Sequence, residues 1–274
     1  MKNNLYSDLK WGISTLGCPE LDLPGAVALA DRYGMNFLEI RTLQNSNEPW
    51  NTLYYPENSS ALRRLVEAGR CRVLDSSFGL TAIKDDAREA LVKTAQAADD
   101  FNIPYIRVFG GGGFADEFTA ERVQCAMDNL AWYREQGFRA KLALETHDIC
   151  SSTDRCCQLV EASQGELMII WDAHHTLRVA GDDLRYTFDK LKPQIVTVHF
   201  KDSVDAFDDK NERYCEYTLP GEGKAELAQL FAMLNADKPD FPVIFEHEKF
   251  WRKYLPELST ALDAWQSFCK QDQR

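Results

Sequence analysis

The first 146 residues contain no histidine; all five, at 147, 174, 175, 199 and 247, fall in the second half of a 274-residue chain. Basic side chains are also short, 31 against 43 acidic ones, and the net charge of −12 repels phosphate backbones and anionic lipid surfaces. Nucleic acid and membranes are therefore poor expected partners. No apolar run approaches the length that spans a bilayer. The N-terminal MKNNLYSDLKWGIS lacks the apolar centre of a secretory signal, which makes the cytoplasm the expected compartment. The eight cysteines form no C-x-x-C pair and no zinc-ribbon spacing, only Cys156 and Cys157 being neighbours. They read as buried, reduced thiols. No proline-rich linker or low-complexity tract divides the chain, so residues 1–274 are read as one domain. A P-loop lysine is missing as well, so a phosphorylated substrate is not established by motif.

What is present is alternation. Eight short runs rich in β-branched and aromatic residues are each followed by helical periodicity: Trp11–Leu16, Asn36–Arg41, Arg72–Phe78, Tyr105–Phe109, Lys141–Glu145, Met168–Asp172, Ile195–Phe200 and Pro242–Glu246. Between the third and fourth, Ala87, Ala90, Leu91, Thr94, Ala95 and Ala98 form one helical stripe. Pro24 suits the first turn of a helix ending at Tyr33 and Gly34, and Asp154 or Thr153 is placed to cap a helix over Arg155–Ala162. The longest irregular stretch runs from Lys201 to Lys224. Eight βα units predict an α/β fold, a single (β/α)8 TIM barrel, although periodicity alone also allows a doubly wound open sheet.

Four late runs stop at a potential metal ligand. Glu145 follows LAL, Asp172 follows IIW, His199 follows VTV and Glu246 follows VIF; 27 residues separate Glu145 from Asp172 and again Asp172 from His199. In a parallel barrel all strands point their C-terminal ends at one mouth, so these residues converge. Singly, each acid is an ordinary loop residue and each histidine an ordinary hydrogen-bonded one. Together, three carboxylates in a desolvated funnel resist joint ionisation unless something positive sits among them. Oxygen and nitrogen donors without sulfur suit one divalent ion, Mn²⁺ or Mg²⁺ first, Co²⁺ or Zn²⁺ as alternatives. Strand alternation implies that His174 and His175 do not both point inward. It also places Glu246 and Glu248 on one face, Glu246 being preferred because it ends its apolar run.

The motifs ETHD at 145–148, WDAHHT at 171–176, HFKDS at 199–203, LPGEG at 219–223 and FEHEK at 245–249 resemble those of the xylose isomerase-like barrel superfamily, the sugar phosphate isomerase/epimerase group. The resemblance spans nearly the whole chain and is strongest after Lys141. It implies a barrel holding one divalent metal through Glu145, Asp172, His199 and Glu246, the same four that the spacing selects. It also implies substrate contact by His175 and acid–base work by Glu145 and Glu246 on opposite faces of a sugar. His147, Lys201 and Arg107 are further expected substrate contacts.

The function expected on this basis is a metal-dependent isomerase or epimerase acting on a keto-sugar or polyol through an enediolate. The alternative is a keto-sugar or keto-inositol dehydratase or lyase. Ketohexose epimerases of the superfamily carry glutamate and arginine after the seventh-strand histidine, whereas this chain has Lys201 and Asp202. Lys201 is then either a proton donor to a leaving oxygen or the partner of Asp202 outside the site. Gly110–Gly113 reads as a mobile turn, or as backbone amides approaching a phosphate or sugar. Glu39 and Arg41 suit a supporting pair on the second strand. Trp11, Phe78, Phe109 and Trp251 read mostly as core, with a wall for a sugar ring as the other reading. An endonuclease would need further early histidines, which are missing, and a non-catalytic sugar-binding barrel is the third alternative. A small carbohydrate is the expected partner, with homo-oligomerisation compatible.

Overall fold

The computed structural model describes residues 8–82 and 85–271; the opening heptapeptide of the N-terminal stretch read above lies outside them. Eight strands close a parallel barrel: β1 (Lys10–Ser14), β2 (Phe37–Ile40), β3 (Cys71–Gly79), β4 (Tyr105–Phe109), β5 (Lys141–Glu145), β6 (Met168–Asp172), β7 (Ile195–Phe200) and, after an antiparallel hairpin of β8 (Asp202–Phe207) and β9 (Arg213–Thr218), β10 (Pro242–Phe245). The ring order is β1-β10-β7-β6-β5-β4-β3-β2, each strand beside its successor except across the hairpin insertion. This settles the closed barrel over the open sheet. Four strands, β4 to β7, coincide with the apolar runs that predict them.

The helices are α1 (Leu23–Tyr33), α2 (Pro56–Glu67), α3 (Asp85–Phe101), α4 (Ala120–Glu135), α5 (Thr153–Ala162), α6 (Leu184–Leu191), α7 (Leu227–Asp237) and α8 (Leu258–Gln271). In α1, Asp22 accepts from the Gly25 N–H at 2.8 Å, Pro24 occupies the first turn, and Gly34 closes the helix at φ 71°. On α3, Leu91, Thr94, Ala95 and Ala98 are buried against the barrel while Lys93 is exposed. The cap of α5 differs from expectation. The helix already starts at Thr153, no local side chain caps it, and the Thr153 N–H is taken at 2.7 Å by Asp182, a long-range acceptor that sequence proximity does not reveal.

Lys201–Lys224 is the second correction. Its residues pair from Asp202↔Thr218 to Phe207↔Arg213. A ribbon standing outside the barrel buries little, so DSVDAF and RYCEYT carry no apolar run to announce strands.

Two apolar layers support the mouth. Outside the barrel wall, Trp11 meets Phe200, Phe231 and Trp265 edge-on at centroid distances of 5.7, 4.9 and 5.2 Å. Inside it, Val73, Ala143, Ile170 and Val196 form a separate buried cluster, flanked by Tyr105 and Met168. Burying such side chains stabilises by about 1.5–3 kcal/mol each, so the barrel floor needs no ligand to hold it together.

Candidate metal centre

Residues two apart on a strand face the same side. On seven of the eight barrel strands, β1 being the exception, the position beyond the apolar floor therefore points a charged or ionisable group into the barrel, giving a polar tier of Glu39, Asp75, Arg107, Glu145, Asp172, His199 and Glu246, all buried. Two residues further on, Arg41, Ser77, Phe109, Lys201 and Glu248 make a second tier nearer the mouth. Within the second tier Arg41 Nη2 donates to Ser77 Oγ at 3.2 Å, and the two tiers touch where the Arg107 guanidinium lies 4.2 Å from the Phe109 ring centroid.

Glu145, Asp172, His199 and Glu246 each bring a donor atom within 4.8 Å of the others. His199 Nδ1 lies 3.0 Å from Glu145 Oε1 and 3.7 Å from Glu246 Oε1, while Nε2 is 2.7 Å from Glu39 Oε1. A carboxylate behind the second ring nitrogen is the arrangement that orients a metal-binding imidazole. Glu246 Oε1 is buried and takes part in no hydrogen bond among the described residues, while Asp172 Oδ2 is held only by the Lys201 ammonium and by His175 Nδ1. An orphaned carboxylate oxygen beside an imidazole nitrogen fits a divalent cation that prefers oxygen and nitrogen donors.

Contrary to the expectation that only a metal opposes the acids, positive side chains already enter the cup. Arg107 donates from Nε to Glu145 Oε2 at 2.6 Å and from Nη1 to Asp75 Oδ2 at 3.0 Å, and its Nη2 also bonds Glu145. Lys201 Nζ lies 2.8 Å from both Asp172 Oδ2 and Glu248 Oε1 and hydrogen-bonds Glu246 Oε2. It is therefore inside the site. Asp202 turns away and accepts the N–H groups of Gly221, Gly223 and Ala225 instead. Against the six carboxylates of Glu39, Asp75, Glu145, Asp172, Glu246 and Glu248 stand Arg41, Arg107, Lys201 and, when protonated, His199. With His199 neutral, as a metal-binding imidazole must be, three formal negative charges remain, of which one divalent cation offsets two.

Burial pushes the Glu145 carboxyl up, but Arg107 and the His199 hydrogen bond more than reverse this and hold it well below the usual carboxylate range. Glu246 behaves alike: burial raises it, Lys201 lowers it, and it falls to about 2. Asp172 stays raised, because burial and its acidic neighbours outweigh Lys201. Burial and the charge on Glu39 likewise raise Asp75.

The adjacent histidines both approach Asp172, contrary to the alternation argument, because the chain leaves β6 at Asp172 and winds directly into a helical turn. The His175 N–H donates to Asp172 Oδ1 at 3.0 Å, and His175 Nδ1 lies 3.2 Å from the Thr146 carbonyl. His174 Nε2 is 2.7 Å from Ser203 Oγ. His147 packs edge-on against His175 at 4.4 Å and lies 2.6 Å from Asp148 Oδ1 through Nδ1. All the expected contacts, His175, His147, Lys201 and Arg107, thus gather around the four acid and imidazole ligand candidates.

Other expectations divide. Trp11 and Phe78 belong to the core, Phe78 stacking with Trp132, whereas Phe109 meets His147 at 5.0 Å and Trp251 is 49% exposed. Gly110 serves packing, since a Cβ there would come within 2.8 Å of Cys150 Sγ. Sequence reasoning missed Asp75 and Tyr217. Asp75 was legible as the polar interruption of Val73-Asp75-Ser77 on one strand face. Tyr217, whose ring is 5.3 Å from that of His174 and 5.4 Å from Lys201 Nζ, sits on the unrecognised hairpin.

A parallel (β/α)8 barrel with a cluster of acids and histidine at its mouth defines the class. The family profile for xylose isomerase-like TIM barrels matches residues 27–267, and the chain belongs to that family. Solved structures of the same fold include the probable 3-DHS dehydratase AsbF of Bacillus anthracis, 18% identical with a TM-score of 0.71, covering 94% of this chain and 99% of that one. The IolI protein with a bound zinc atom is 13% identical, TM-score 0.68, covering 96% and 98%. A xylose isomerase-like barrel of Mycobacterium smegmatis in complex with magnesium is 10% identical, TM-score 0.59, covering 97% of each chain. A search of curated protein sequences gives no match.

Proposed function

We propose that this protein is a divalent-metal-dependent enzyme that removes a proton beside the carbonyl of a keto-sugar or related polyol and returns it to give an isomer or epimer. One observation carries the reading: two buried carboxylates, Glu145 and Glu246, each kept ionised by its own cation, meet Asp172 and His199 at one point. A bound Mn²⁺ or Mg²⁺, with Co²⁺ or Zn²⁺ as substitutes, supplies Lewis acidity toward the substrate's carbonyl and neighbouring hydroxyl oxygens. Zinc and magnesium in the solved relatives support a divalent ion.

Glu145 and Glu246 then divide the work of base and acid. Arg107 fixes Glu145, and His175 and His147 contact the substrate from the β6 and β5 loops. Walls of buried side chains exclude bulk water, which strengthens each of these interactions.

A second reading is favoured by Lys201. Its ammonium bridges Glu246 and Glu248 inside the cup, where it is placed to protonate a departing hydroxyl, so that the same proton abstraction ends in loss of water. The dehydratase title of the Bacillus relative agrees with this route. The acidic chain and lack of a membrane-crossing helix among the described residues support a small carbohydrate partner in the cytoplasm rather than nucleic acid or lipid.

The test is a panel of keto-sugars and keto-inositols incubated with Mn²⁺-loaded protein in D2O. Carbon-bound deuterium at unchanged substrate mass otherwise supports isomerisation or epimerisation; a product lighter by one water supports the dehydratase. Silence across the panel in the loaded protein would overturn both.

A further inference from the structure

Beside the cup lies a crevice of about 410 Å³ between the C-terminal end of β3, the loop around Trp50 and the outer half of α3. Its volume is within the range of small-molecule sites, about 300–1,000 Å³. Asp75 and Ser77, which belong to the inward-facing tiers of the barrel, line it together with Trp50, Phe78 and Ala90. The crevice therefore shares a wall with the cup. Asp75 is 1% exposed, and only one of its oxygens is used: Oδ2 takes the Arg107 bond, whereas Oδ1 has no hydrogen-bond partner among the described residues. Ser77, two residues on, is exposed on the crevice's barrel side.

We infer that the crevice is a second subsite that binds a neutral, hydroxyl-bearing ring attached to the group held in the cup, so that the substrate is a two-ring conjugate such as a glycoside. This deepens the function proposed above and rests on the cup being the reacting centre. Ser77, exposed on the barrel side of the crevice, meets a ring hydroxyl, and Trp50 and Ala90 supply apolar walls. The charged rim selects against phosphate: Glu48 and Glu89 face a single ammonium, Lys93, whose Nζ is already 2.7 Å from Glu89 Oε1.

The subsite is tested by calorimetric titration of the Mn²⁺-loaded full chain with glucose, cellobiose, 4-hydroxyphenyl β-glucoside and glucose 6-phosphate. The two conjugates are expected to bind at least tenfold tighter than glucose, and the phosphate no tighter. Ala90→Trp, which fills the crevice, and Trp50→Ala, which removes a wall, should each return the conjugates to the affinity of glucose. Equal or absent binding of glucose and conjugates by the wild type, or an advantage that survives in both folded variants, would overturn the subsite. Should one variant fail to fold by circular dichroism, the other decides. Conjugate preference without deuterium exchange on any keto-sugar would sink the proposed chemistry and leave the subsite standing; exchange without the preference would do the reverse.

Discussion

Glu246 is the side chain on which the proposed chemistry is most exposed. Glu246→Gln keeps the shape while removing the charge that Lys201 grips, and is expected to lower turnover by roughly 10²–10⁴-fold with the fold retained. Steady-state kinetics beside a circular dichroism spectrum checks this, and a wild-type rate would contradict it. Glu39 works one step back, 2.7 Å from His199 Nε2. Glu39→Gln should weaken metal binding by about 10–100-fold, measured by calorimetric titration with Mn²⁺, without abolishing it. The sequence made Glu145, Asp172, His199 and Glu246 visible because each ends an apolar run. It hid the partners of Lys201, because which acids face an ammonium depends on the lateral register of strands far apart in the chain.

Among the elements, the hairpin of β8 and β9 was least legible and most consequential. Apolar periodicity reports burial, and this ribbon has little, yet it delivers Tyr217 and Ser203 to the histidine pair. Its base is organised by Asp202, buried and accepting from Gly221, Gly223 and Ala225 at 2.9, 3.0 and 3.0 Å. Asp202→Ala strands those amides, and an expected loss of about 3 kcal/mol should appear as a lower melting temperature and faster hydrogen exchange over residues 219–225. Unchanged exchange there would contradict this.

Further out, Asp205 gathers Lys224 and Arg213 at 2.8 and 2.7 Å together with Arg178, and these hydrogen bonds, Lys224 and Arg213 foremost, lower its pKa. A lowered folded pKa means that the contribution is complete above the ordinary aspartate value of about 4 and disappears as pH falls below it toward the folded value. Exchange protection of the hairpin, corrected for intrinsic rates, should therefore hold from pH 8 to about 5 and weaken below about 4. Asp205→Asn should be weak throughout.

At the scale of the whole molecule, the barrel separates what folds the chain from what reacts. The apolar floor and the ring of helices hold the architecture, and the polar tiers above are crowded with acid. Metal binding should therefore add stability without being needed for folding: at a hundredfold excess over Kd the gain is about 2.7 kcal/mol, read as a rise in melting temperature that chelation reverses. An unfolded apo protein would contradict this. Buried thiols fit the same division, with burial pushing Cys18 and Cys71 up to about 12 and out of reach of mild oxidants.

The central claim, that the tips of β5, β6, β7 and β10 form one cation site, is tested most directly by anomalous diffraction at the manganese edge from crystals soaked in Mn²⁺. One strong peak is expected within coordination distance of Glu145, Asp172, His199 and Glu246, and it should vanish in His199→Ala. A mouth without anomalous signal, or manganese bound only elsewhere on the acidic surface, would contradict the account.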